Sequence, residues 1–163
     1  MKEIKLTVDG KEVQLTEEQL KLLGFEVRKN PFERAAKGGR YFYINVHGVV
    51  HQHYDVEYPY EEKAYEVANY FTDEVFANQV ALHQLLYRKL LKFAYDNECE
   101  DREWGTKHEH WRIYYDTDSD KFDIDANTTY KQQGVYFSTS LDARRAIEEV
   151  VEPFVKEHPD FVW

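Results

Sequence analysis

Between residues 71 and 95 apolar side chains recur with no glycine or proline among them: Val75, Phe76, Val80, Ala81, Leu82, Leu85, Leu86, Leu90, Leu91, Phe93 and Ala94. At about 100° per residue they cover well over half of a helix, leaving Gln84, Arg88 and Lys92 as a narrow polar stripe. Thr72-Asp73-Glu74 opens the stretch with a hydroxyl and two acids suited to the positive end of a helix dipole, so Thr72 is the expected N-cap. A helix this apolar needs cover on two sides, and the chain offers one cover before it and one after.

The preceding chain alternates apolar and polar positions at 4–8 and 12–15 around Asp9-Gly10, a dipeptide that tolerates the positive φ of a type I′ hairpin turn. Thr16-Glu17-Glu18-Gln19 is a capping box for a short helix that stops at Gly24. Asn30-Pro31-Phe32-Glu33 reads as a second helix start, closed by Gly38-Gly39. Residues 40–46 and 49–53 predict an aromatic hairpin turning at His47-Gly48. Residues 54–60, with Pro59, predict an edge strand or loop, and 61–69 a short helix. After the long helix come a polar connection at 97–105, strands at 111–115 and 122–125, and a short strand at 135–137. A last helix follows, from a Ser138 cap to about residue 151, with Leu141, Ala143, Ala146, Ile147 and Val150 inward. Pro153 ends or kinks it, and Phe154, Phe161, Val162 and Trp163 predict a docked tail.

Tyr70-Phe71-Thr72 aligns with Tyr136-Phe137-Ser138, and the same offset pairs Val75 with Leu141, Ala77 with Ala143, Val80 with Ala146 and Ala81 with Ile147. The expected fold is therefore α+β: two pseudo-repeated hairpin–strand–helix units sharing a core with one long central helix, preceded by a small N-terminal hairpin-helix. The expected division is 1–29 for the N-terminal piece and 30–163 for the main domain. Its units, 30–97 and 106–163, are joined by an acidic connection.

Charge then restricts the partners. Against 21 basic residues stand 31 acidic ones, a formal net charge of -10. Phosphate backbones repel such a chain, so direct nucleic-acid binding is disfavoured and a basic protein surface is the favoured partner. One cysteine, Cys99, excludes an internal disulfide and fits a reducing compartment; acidic neighbours are expected to raise its pKa. With no signal-peptide pattern and no apolar run of membrane-spanning length, the expectation is a cytoplasmic protein of a host bacterial cell without membrane contact.

The stretches IKLTVDGKEVQLTEEQLKLLGF, NPFERAAKGGRYFYI, YEVANYFTDEVFANQVALHQLLYRKLLKFA, WRIYYD and VYFSTSLDARRAIEEV resemble small phage and prophage accessory proteins. The resemblance covers most of the chain. Some comparably small, acidic phage proteins inhibit host defence, anti-CRISPR proteins among them. The resemblance thus implies an anti-defence role and brings no catalytic motif with it.

Candidate chemistry is sparse. Asp116-x-Asp118-x-Asp120 begins like a calcium loop, but Lys121 stands where that loop needs glycine and Asn127 where it needs glutamate. No metal or cofactor is expected; His51 with His53, and His108 with His110, are the residues that would hold a metal, since i and i+2 on a strand point the same way. Tyr58 and Tyr60 among Asp55, Glu57, Glu61 and Glu62, and the aromatic second hairpin with Asp116, Asp118, Asp120, Asp123 and Asp125, predict two acidic, aromatic partner-binding surfaces. The expected function is a phage-encoded, non-enzymatic inhibitor of a nucleic-acid-binding host defence nuclease, specifically an anti-CRISPR protein acting as a DNA mimic on a Cas9-type enzyme. The alternatives are a metal-dependent nuclease built on the His-x-His pairs and a protein that sequesters a nucleotide between aromatic rings.

Overall fold

A computed structural model of the chain describes residues 6–8, 11–13, 15–24, 29–101, 104–105 and 107–163. Strands β1 (Leu6–Val8) and β2 (Lys11–Val13) pair antiparallel, with Val8 opposite Lys11; the Asp9-Gly10 turn lies outside the described residues. Helix α1 (Glu17–Leu22) starts with the expected box: Gln19 N–H donates to Thr16 Oγ1, and Thr16 N–H donates to Gln19 Oε1. Gly24 then takes a φ of +80°.

Residues 31–39 form turns and not the expected helix. Their backbone donors are used elsewhere: Ala35 N–H donates to the Tyr70 hydroxyl, and Gly38 N–H to the Asp55 carbonyl. Strands β3 (Arg40–Ile44) and β4 (Val50–Tyr54) form the first hairpin. Asn45 shapes its turn by accepting from the His47 and Val49 N–H groups on one side-chain oxygen. Pro59 opens helix α2 (Pro59–Glu66), which suits its fixed φ and missing donor.

Helix α3 (Glu74–Asp96) is the long helix expected. Its cap lies one residue later than Thr72: Asp73 accepts from Phe76 N–H, while the Thr72 hydroxyl donates to the Pro31 carbonyl. Strands β5 (His110–Asp116) and β6 (Lys121–Asn127) form the second hairpin. Helix α4 (Ser140–Ala146) is likewise capped one residue late, by Thr139, because the Ser138 hydroxyl donates to the Cys99 and Glu100 carbonyls. Leu141, expected inward, is exposed; it lies about 200° around the helix from the buried Ala143. Pro153 does not end this helix. A π turn (Ile147–Val151), whose wide ring is closed by Glu152 N–H donating to the Ile147 carbonyl, carries the chain into α5 (Glu152–Glu157).

The fold is α+β, with three two-stranded antiparallel sheets among the described residues. The first hairpin is joined to the chain entering α3, and the second to the chain entering α4, by the same kind of backbone exchange. Phe71 exchanges both backbone hydrogen bonds with Phe42 of β3, and Phe137 does so with Trp111 of β5. The expected single core is instead two clusters. Phe42, Ile44 and Phe71 pack on Ala77 and Ala81 of α3; Phe137, Ala143, Ala146, Val151 and Phe154 pack with Leu86, Leu90, Phe93 and Ala94. At about 100° per residue these two sets occupy opposite faces of α3, which is why the helix is apolar nearly all round. The tail docks as expected: Phe161 is buried, and Gln79 donates to the Asp160 carbonyl and accepts from Val162 N–H.

Candidate functional site

Around the first hairpin the acids turn inward. Asp55 and Glu61, expected on an outer face, are buried to 1% and 0% exposure. Asp55 follows directly after β4, where the backbone exchange between residues 38–39 and 55 holds it against the 31–39 turns. Its Oδ2 accepts from Arg34 Nε and the Tyr70 hydroxyl, each at 2.9 Å, and its Oδ1 accepts from Glu57 N–H. Burial pushes the Asp55 carboxyl up, but the Arg34 guanidinium, the Glu57 N–H and the Tyr70 hydroxyl together hold it at about 2. Tyr70 is driven the other way, to about 12, by burial first and by Asp55 as well. Glu61, in the first turn of α2, accepts from Val56 N–H at 2.9 Å and Tyr58 N–H at 2.8 Å through Oε2. The exposed acids here are matched to cations, Glu57 to Lys37 and Glu62 to Arg34, each at 2.6 Å. Only Tyr58 and Tyr60, with those two paired acids, remain outward from the expected first surface.

Above this network lies a groove of about 500 Å³ lined by Tyr41, Tyr43, His53 and Tyr60. His53 hydrogen-bonds the Tyr60 hydroxyl, and His51 accepts from the Asn45 amide. The pair His51 and His53 gathers no third ligand among the described residues.

The second hairpin distributes its residues differently. Ile113, Phe122 and Ile124 face the core, whereas Arg112, Tyr114 and Asp116 alternate outward opposite Asp125, Asp123 and Lys121. Tyr114 lies within the field of Asp123, Asp116 and Asp125; partial burial first, then these charges, raise its pKa. The 116–121 turn is closed by its own side chains and not arranged as a calcium loop: Asp116 accepts from Asp118 N–H and the Ser119 hydroxyl, and Tyr115 donates to Asp120. Arg112 pairs with Asp125 at 3.0 Å and Arg144 reaches Asp123 at 3.7 Å, so Asp116, Asp123 and Asp125 share this face with Arg112, Lys121 and Arg144, while Asp118 and Asp120 lie at the turn. The first hairpin packs in the cluster on one face of α3 and the second in the cluster on the opposite face.

His108 and His110 do find a third group. Asp101, from the connection after α3, contacts both imidazoles, and the three side chains bring their ligand atoms within 4.8 Å of one another. The sequence reading missed Asp101; the available signal was an acid nine residues before His110 in a connection already marked as acidic. Cys99 lies close by in the chain but is buried, and burial, ahead of Asp142, is what raises its thiol.

No protein-family model matches the chain, and no curated protein or solved structure is significantly similar to it. Among the described residues, no helix is long and apolar enough to cross a membrane.

Proposed function

We propose that the chain is a protein-binding inhibitor, acting without catalysis through the outer face of the second hairpin. The observation that supports this most is the set of carboxylates gathered on one side of β5–β6 around Tyr114: Asp116, Asp123 and Asp125, extended at the turn by Asp118 and Asp120. A tyrosine amid carboxylates on a stiff hairpin offers low-entropy contact area together with a charge pattern complementary to a basic groove. The partner is a basic, nucleic-acid-binding protein. In its most specific form, the protein is a phage-encoded anti-CRISPR that occupies the DNA channel of a Cas9-type nuclease in the host cytoplasm, a channel that holds nucleic acid through backbone contacts. The first hairpin is left out of this surface, since two of its four acids, Asp55 and Glu61, are buried.

The test is target cleavage by a guide-loaded Cas9-type nuclease with and without the purified chain, across a salt series. Inhibition that falls steeply with salt is expected, because exposed charges are screened over ~10 Å at 0.1 M. Asp118→Lys combined with Asp123→Asn should weaken inhibition mainly by slowing association. Asp120 is unsuited to the swap, having a φ of +57° and the Tyr115 hydroxyl bond. No inhibition at any salt, or inhibition indifferent to the double variant, would remove this reading.

A further inference from the structure

We infer that Asp101, His108 and His110 form a binding site for one divalent first-row transition metal ion, with zinc the favoured occupant. The inference goes beyond the interaction reading and does not depend on it.

His110 is fully buried at the start of β5. Its Nε2 lies 2.8 Å from the Gly105 carbonyl, shorter than the 3.4 Å to the Gly105 N–H. A carbonyl only accepts, so Nε2 carries the hydrogen and donates it. In the neutral ring the lone pair is then on Nδ1, and Nδ1 faces the Asp101 carboxylate in direct contact. Two acceptors in contact need a cation between them. A shared proton fills this contact as it stands; a metal ion replacing that proton would draw Nδ1 and the carboxylate apart to ligand spacing.

His108 adds a third ligand atom to the pair. Its Nε2 lies 3.7 Å from Asp101 Oδ1, the oxygen that His110 does not contact. Ligand atoms on a tetrahedral zinc, with bonds of about 2.0–2.1 Å, are about 3.4 Å apart, so this separation is within a few tenths of an ångström of what one ion requires. Two imidazole nitrogens with one carboxylate oxygen is a donor set suited to zinc and its neighbours and unlike the all-oxygen set that calcium or magnesium takes.

The surroundings hold the ligands as outer groups of a metal site do. The Gly105 carbonyl fixes the His110 tautomer, the arrangement typical of a metal-bound imidazole. Trp104 stacks on the His110 ring at 3.8 Å with 12° between planes, and Tyr136 meets Trp104 edge-on. Asp101 is tied by its own N–H to the Tyr136 carbonyl. His108, half-exposed, forms the solvent side, so the remaining coordination position opens to water.

The test uses the full chain, stripped with chelator and titrated with Zn²⁺ by calorimetry, with Co²⁺ absorption as a second readout. One ion per chain is expected, with a rise in melting temperature and the d–d spectrum of a histidine–carboxylate site for cobalt. His108→Ala and Asp101→Asn should each weaken binding at least tenfold, and His51→Ala with His53→Ala should leave it unchanged. His108 is half-exposed, so its variant keeps the fold, checked by circular dichroism, even if Asp101→Asn does not. No saturable binding, binding undiminished in His108→Ala, or binding lost with His51 and His53 would each overturn the assignment.

Discussion

The two hairpin regions carry similar acidity and use it in opposite ways. Around β3–β4, Asp55 and Glu61 are buried as structural acceptors, and Glu57 and Glu62 are neutralised by Lys37 and Arg34. Around β5–β6 the carboxylates lie on the outer face and at the turn. The difference comes from what each region offers a carboxylate. The first has Arg34, a buried phenol and spare backbone donors from irregular chain. The second is a regular hairpin whose backbone donors already serve the ladder. An acid becomes internal where unpaired donors converge on it, whatever its neighbours in sequence.

The sharpest way to break this comparison is to remove one carboxylate from each region. Asp55→Ala should cost about 3–5 kcal/mol, because it strips a buried charge network of its centre. Asp123→Asn should stay within about 0.5 kcal/mol, as exposed sites do. Equal losses in urea denaturation would erase the distinction.

Next in size is Leu86→Ala, expected to cost about 2–5 kcal/mol through the cavity it leaves in the second cluster. Because α3 carries both clusters, tryptophan fluorescence and tyrosine near-ultraviolet dichroism should still share one midpoint. Two separate transitions would show that the clusters unfold independently.

Acid titration sharpens the same contrast. The folded Asp55 pKa, about 2, lies below its ordinary 3.8. Its stabilisation is therefore complete above pH ~4 and lost as pH falls through the folded value. Asp55→Asn should flatten the stability profile between about pH 4 and 2; an unchanged profile would show that Asp55 does not carry the acid dependence.

The smallest effects are at the helix starts. Asp73→Ala and Thr139→Ala should each cost about 1 kcal/mol in chemical denaturation. A larger loss at Thr72 or Ser138 than at these caps would reverse the assignment.

The long helix was legible because its period survives any tertiary context, and the Thr16 box because its bonds are local. The caps at Thr72 and Ser138 were misplaced by one residue. Each hydroxyl is taken by a distant carbonyl, of Pro31 or Cys99, leaving the next polar residue to cap. The helix expected after Pro31 failed for a similar reason, since Tyr70 and Asp55 claim its backbone donors. At the candidate sites, alternation along β5–β6 correctly placed Asp123 and Asp125 outward. Nothing local marked Asp55 as internal, because its cation lies 21 residues upstream. Asp101 carried only a weak signal, nearness to His108 and His110 in the chain, and an acid among acids acquires meaning when the fold returns the two histidines to it.

The π turn before Pro153 bears on how this chain can change length. Its Ile147–Val151 tract holds one residue more than an α-helix needs over the same span, so everything beyond it is turned by about 100° relative to an uninterrupted helix. Phe154 thereby meets Phe161 with ring centres 5.3 Å apart. A deletion within this tract can be absorbed by reverting to plain α-helix, leaving Ala143 and Phe154 in place. Such a shortened chain would lose the room the wide turn gives the proline ring. A descendant that drops a residue here should therefore also replace Pro153, and the two changes should be inherited together.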